Sequence, residues 1–207
     1  SSPVAALTNV ILETNDGVGI IADAGATTLT AVAKATLGAN TFTGATNTPG
    51  FASTHTLSFT CNGEIPVGGK IVLTLPDTGD LAPTTVVRTY SMSNEPALTV
   101  SAGGFAVGTG ADKPTFAARV LTVKTATAAV TQISPVTFKV ADVKTPSSEV
   151  GSLTDVALKT LDAAGGGIVA DCAAVTTTAI AKATIVTGGG LSWISTTLTP
   201  GMKSDHT

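Results

Sequence analysis

Two cysteines, two histidines and a thin scatter of carboxylates are the residues of this 207-residue chain equipped for chemistry. Cys61 and Cys172 could form a disulfide enclosing 110 residues; in the chain-entropy account a loop of that size stabilises a fold by up to about 4.7 kcal/mol. The alternative is two buried free thiols. No CxxC or Cys/His spacing points to a metal or redox centre. His55 falls mid-strand and His206 near the end, and no cluster brings a nucleophile and a carboxylate to either one. There is no GxSxG elbow. Loop carboxylates can hold Ca²⁺, but Asp77-Thr78-Gly79-Asp80 and the run from Glu13 to Asp16 lack the ligand series of a calcium loop and read as solvated turns. Gly63–Lys70 has an extra glycine where a phosphate loop needs GxxxxGK, and Ile71 opens a strand rather than a helix. Gly108-Thr109-Gly110 lacks the third glycine of a dinucleotide site. The residues therefore predict no catalytic, cofactor-binding or metal site, and no enzyme; a sandwich hydrolase would need a carboxylate pair that the spacing does not supply.

Composition sets the frame that would position any site. The chain holds 38 Thr, 31 Ala and 22 Gly, with 43% hydrophobic and 12% charged residues and a mean hydropathy of +0.40. That is too apolar for a disordered tail. A net charge of −3 and 4% aromatics offer neither an electrostatic footprint for phosphates nor platforms for bases, which argues against nucleic acid. No apolar run approaches 18 residues, so no membrane-spanning helix is expected. The start at Ser1-Ser2-Pro3, the Thr excess and the two cysteines predict an extracellular or cell-surface β protein, with a leader removed or the chain a segment of something longer. None of Asn9, Asn15, Asn40, Asn47, Asn62 and Asn94 begins an N-glycosylation sequon.

Thr and Val, stiff at χ1 and suited to a pleated surface, fill most periodic segments. Strict period two over Ser53–Cys61 and Lys70–Leu75 predicts strands with Leu57 and Phe59, and Ile71, Leu73 and Leu75, on one buried face. Further strands are expected at Thr84–Met92, Ala97–Ser101, Thr115–Lys124, Ala129–Ile133, Val136–Val140, Ser152–Thr160, Gly167–Cys172, Thr176–Val186 and Leu191–Leu198. Leu29–Leu37 and Val156–Ala164 carry a faint helical period. Turn signals every 8–12 residues or so predict an all-β, antiparallel β-sandwich of jelly-roll or immunoglobulin-like type. Gly38–Gly50 reads as a loop, either an internal boundary or a long surface connection.

The N-terminus carries an unusual pattern. Val4, Ala6, Val10 and Leu12 alternate with Ala5, Leu7 and Ile11, so residues 4–12 are apolar on both faces, as a strand covered on both sides would be. Such a strand either pairs inside its own domain or swings out at Asp16-Gly17 to complete a neighbour's sheet. Residues 1–14 are accordingly read as a donor or interface strand, with Val4, Ala6, Leu7, Val10, Ile11 and Leu12 in the contact, and 15–207 as the sandwich.

The stretch Thr56–Pro76, TLSFTCNGEIPVGGKIVLTLP, resembles Thr-rich β-sandwich repeats of extracellular proteins in microbial eukaryotes and bacteria, and Val136–Pro146 is similar to a later strand of such repeats. The overall character also resembles pilin-like subunits joined by donor strands. The resemblance implies a structural subunit of an extracellular filament or surface assembly whose partners are copies of itself in a helical or linear polymer, with glycan as a further ligand. The competing expectation is a secreted carbohydrate- or surface-binding module, which would need Trp193 exposed beside Tyr90.

Overall fold

The β-branched residues behave as their stiffness requires: the chain is all-β, and among the described residues the sole helical element is a 3₁₀ turn at Gly110–Asp112. The computed structural model describes residues 5–12, 25–76, 89–102, 104–154, 156–164 and 167–182. Eleven strands are present among them: β1 (Leu7–Leu12), β2 (Gly25–Leu29), β3 (Ala35–Gly44), β4 (Ala52–Cys61), β5 (Lys70–Thr74), β6 (Leu98–Ala102), β7 (Thr115–Ala117), β8 (Val120–Lys124), β9 (Ser134–Lys144), β10 (Val156–Leu161) and β11 (Ile168–Thr177). β1 and β2 form a separate antiparallel ribbon, and the others make one sheet in the order β6-β9-β4-β3-β11-β10-β5-β8-β7.

Every neighbouring pair in the large sheet is antiparallel except β3 and β11, which run parallel. β3 joins β4, β9 and β6 to the five strands on its other side. Its register shifts between Gly38 and Thr41, around Ala39 at φ 50°, and a bulge of this kind bends a strand. The two wings face a single core. Aligned rows fill it: Phe42, Leu57, Phe138 and Val100 across β3-β4-β9-β6, and Leu158, Leu73, Leu121 and Phe116 across β10-β5-β8-β7. Phe105, in the crossing from β6 toward β7, meets Phe138 edge to face at 6.5 Å. The expected burial of Leu57, Phe59, Ile71, Leu73 and Leu75 holds, since all five belong to this cluster. β4 and β5 are not neighbours, however, because β3, β11 and β10 lie between them.

Several sequence expectations are corrected. Leu29–Leu37 and Val156–Ala164 are not helical; they contribute to β2, β3 and β10, where Val156, Leu158 and Thr160 alternate inward on a pleat. The loop expected from Gly38 begins only after Gly44, since β3 runs through the middle of the sheet. Thr115–Lys124 is not one strand but a hairpin, turned at Ala118 (φ 47°) and Arg119 (φ 67°). Tight hairpins favour that backbone, but no glycine advertises it here. In place of a strand at Ala129–Ile133 there is a single bridge from Val130 to Ile65. Thr176 and Thr177 end β11, and Ile180 makes only an isolated bridge to Val150; residues 183–186, most of Thr84–Met92 and all of Leu191–Leu198 lie outside the described residues.

Gly44 faces His55 across the β3–β4 ladder, and a Cβ there would come within 2.6 Å of the imidazole Nε2 and 2.9 Å of the Thr46 carbonyl. Overpacking a core contact costs about 1–3 kcal/mol. Gly44→Ala is therefore expected to lower the unfolding free energy by about that amount with an unchanged m-value, as read by chemical denaturation.

Candidate functional site

The residues singled out for chemistry are used for packing. His55 is buried on the inward face of β4, its ring 5.1 Å from Phe42 and 5.9 Å from Tyr90, with Nδ1 3.3 Å from the Ser53 carbonyl. Its contacts are aromatic and main-chain rather than catalytic. Burial pushes the imidazole below its ordinary value near 6.5, against a smaller upward pull from the Ser53 bond. Tyr90 is buried in the same cluster. Half of the aromatic pair that a carbohydrate-binding face would need is thus inside the core, and Trp193 lies outside the described residues.

The expected disulfide is also corrected. Cys61 is a buried free thiol that donates to the Gly63 carbonyl at 2.7 Å, and burial pushes the thiol up. The sheet register explains why it stays free. Cys61 pairs with Leu37, and Thr36 pairs with Asp171, so Cys172 falls level with Leu37 on the far side of β3. Two strand spacings, about 9.5 Å, exceed the roughly 7 Å between Cα atoms that a disulfide can bridge.

Elsewhere, shallow depressions are lined by described residues. One of about 340 Å³ is lined by threonines 43, 54 and 56 with Lys139. Another, of about 250 Å³, has Lys70, Lys113 and Lys124 around Asp112, whose carboxylate accepts from Lys124 at 2.7 Å. A third, of about 220 Å³, lies between Val32, Asn62, Glu64 and Gln132. Among the described residues no group of three His, Cys, Asp or Glu could hold a metal ion, and no helix is long and apolar enough to cross a membrane. Asp77, Asp80 and the run from Glu13 to Asp16 lie outside the described residues.

What remains is main chain and apolar surface. β1 pairs with β2, with Leu7 opposite Leu29, Val10 opposite Thr27 and a bulge between Leu7 and Val10. Own-chain pairing, one of the two outcomes expected for this segment, is thus realised, but outside the large sheet. Leu7 and Leu29 are 41% and 49% exposed, and Ala6 is exposed beside them. Val10, Ile11 and Leu12 are placed on β1 by their backbone, whereas Val4 and the Asp16-Gly17 turn lie outside the described residues. At a turn preceding β9, Ile133 is 68% exposed at φ 61°, a conformation strained for a β-branched residue. Sequence reading missed β2 as a partner because Gly25–Leu29, GATTL, has no apolar alternation.

No family model matches the chain, and no curated protein matches it. Among solved structures, the crystal structure of BslA, described as a bacterial hydrophobin, aligns over 72% of this chain and 100% of its own, at 16% identity and a TM-score of 0.37. A likeness of that degree carries no argument about what this chain does.

Two outcomes follow from these geometries. A histidine held below its ordinary value is neutral in the fold and binds its proton more readily once unfolded. Stability should be level above about pH 6.5 and fall below it, by at most about 1.4 kcal/mol per pH unit, until the lowered value is passed. His55→Gln should flatten that limb in denaturation curves between pH 7.5 and 5. For Cys61, alkylation of the unreduced, denatured chain followed by peptide mass spectrometry should find the label on its sulfur.

Proposed function

We propose that this chain is a non-catalytic structural subunit of an extracellular filament or surface layer, joined copy to copy by β-strand addition. The observation that carries the reading is the β1–β2 ribbon. A two-stranded ribbon is marginal in water and needs a third strand or an apolar surface to persist. This one stands apart from the large sheet with two leucines opposed and half exposed. Its first strand, LTNVIL, has no charge to deter pairing. Addition to a neighbour's sheet supplies the missing strand, so Ala6, Leu7, Val10, Ile11 and Leu12, together with Val4, are assigned to the joint. Main-chain bonds give such a contact strength, and alternate side chains set its register.

β1 is already paired on one side, so the ribbon is expected to add as a unit through the other side. That avoids breaking the β1–β2 ladder. A chain with Val10→Cys and Thr27→Cys, which are Cα partners, tests this: opposed strand residues lie within disulfide reach. Oxidised, the locked ribbon should still assemble in sedimentation and electron microscopy. Assembly only after reduction would mean that β1 leaves β2 first. A chain that stays a monodisperse monomer in either state would overturn the reading.

A further inference from the structure

A joint of this kind needs an acceptor, and among the described residues the large sheet has two edge strands, β6 and β7. Their edges differ. β7 has three residues, and its Phe116 N–H is taken by the Asn94 carbonyl at 2.8 Å. The Glu95–Lys113 ion pair stands beside it, and the 3₁₀ turn at Gly110–Asp112 precedes it. Short length and nearby charge are how natural sheets close an edge.

β6 is longer and carries no charge of its own, the nearest paired charge being Lys139 of β9 opposite Thr99. Its five residues, Leu98-Thr99-Val100-Ser101-Ala102, include no charge and no proline. The Ala97 carbonyl accepts from the Ala141 N–H at 3.0 Å, on the side of β9. Antiparallel strands alternate the direction of their peptide groups, so Leu98 and Val100 turn their N–H and C=O groups to the outer edge. Among the described residues no strand pairs with that edge. The side chains of Leu98 and Val100 lie against the core yet are only half-buried, while Thr99 and Ser101 are exposed. A further strand would cover the apolar pair and satisfy the main chain together. β1, six residues long and uncharged, fits an edge of five.

We infer that the outer edge of β6 is the acceptor for β1 of a second copy, a site that rests on the strand-addition reading. The large sheet then continues through the partner's ribbon, from nine strands to eleven at each joint.

Full-length variants separate the inference from that reading. Ser101→Lys puts a charge on an exposed position of β6, and Val100→Pro removes a donor that points outward, where proline is tolerated. Both should raise the critical concentration for assembly at least about tenfold, equal to ~1.4 kcal/mol per joint; Ser101→Lys should keep the wild-type unfolding transition, whereas Val100→Pro also loses a core contact and should lower it. Ala117→Lys, on exposed β7, should assemble as wild type. If Ala117→Lys blocks assembly and the β6 variants do not, the acceptor is β7 and the inference is wrong while the reading stands. If all three assemble normally but Val10→Pro in β1 does not, the acceptor lies off both edges, again against the inference alone. Normal assembly by Val10→Pro would remove the strand-addition reading, and the β6 site with it.

Discussion

The parallel pairing of β3 with β11 holds the architecture together. Without β3 the large sheet would separate into three strands, β6-β9-β4, and five, β11-β10-β5-β8-β7. β3 can serve both because its bulge at Ala39 lets one side keep register with β4 from Leu37 to Gly44 while the other meets β11 from Ala35 to Phe42. The consequences reach the core and the thiols. Leu37 and Phe42 come into the buried cluster from this strand, and the same strand stands between Cys61 and Cys172.

Threonine has two roles in this fold. On outward positions it is a strand former, as in the row Thr41, Ser58 and Thr137, where the last two hydroxyls lie 3.0 Å apart. Inside, it supplies the polar staples that a curled sheet needs where connections cross. Buried Thr125 donates to the Pro66 carbonyl at 2.7 Å, Thr145 to that of Thr48 at 2.6 Å, and Thr160 accepts from the Ala170 N–H at 3.1 Å. Each bond ties segments distant in sequence or adjacent in the sheet, and each satisfies a main-chain group that would otherwise be costly to bury. A small β-branched residue with one hydroxyl does this without adding charge. The low charge of the chain and its threonine content are two sides of one design.

His55 and Cys61 are buried, and the depressions lined by described residues gather no acid–base set. The peptides of unguarded strand edges are groups able to make strong directional contacts. The proposed assembly role rests on the same shortage of charge that gives the core its composition: few lysines and glutamates are left to close an edge.

By itself the sequence determined the class of the fold. Period two in β4 and β5, carried by side chains two positions apart, placed Leu57, Phe59, Ile71 and Leu73 inside regardless of their neighbours, because alternation is a local property of an extended chain. It also marked the N-terminal segment as a strand in want of cover. Only the tertiary structure decided which strands became neighbours. β3 and β11 are separated by more than a hundred residues, and many pairings would bury the same faces; the choice lies in loop closure and in packing of the whole core. The fate of the cysteines, the glycine-free turn at Ala118-Arg119 and the standing of β6 as an edge all follow from that choice. None was legible locally, since each depends on what lies one strand away rather than one residue away.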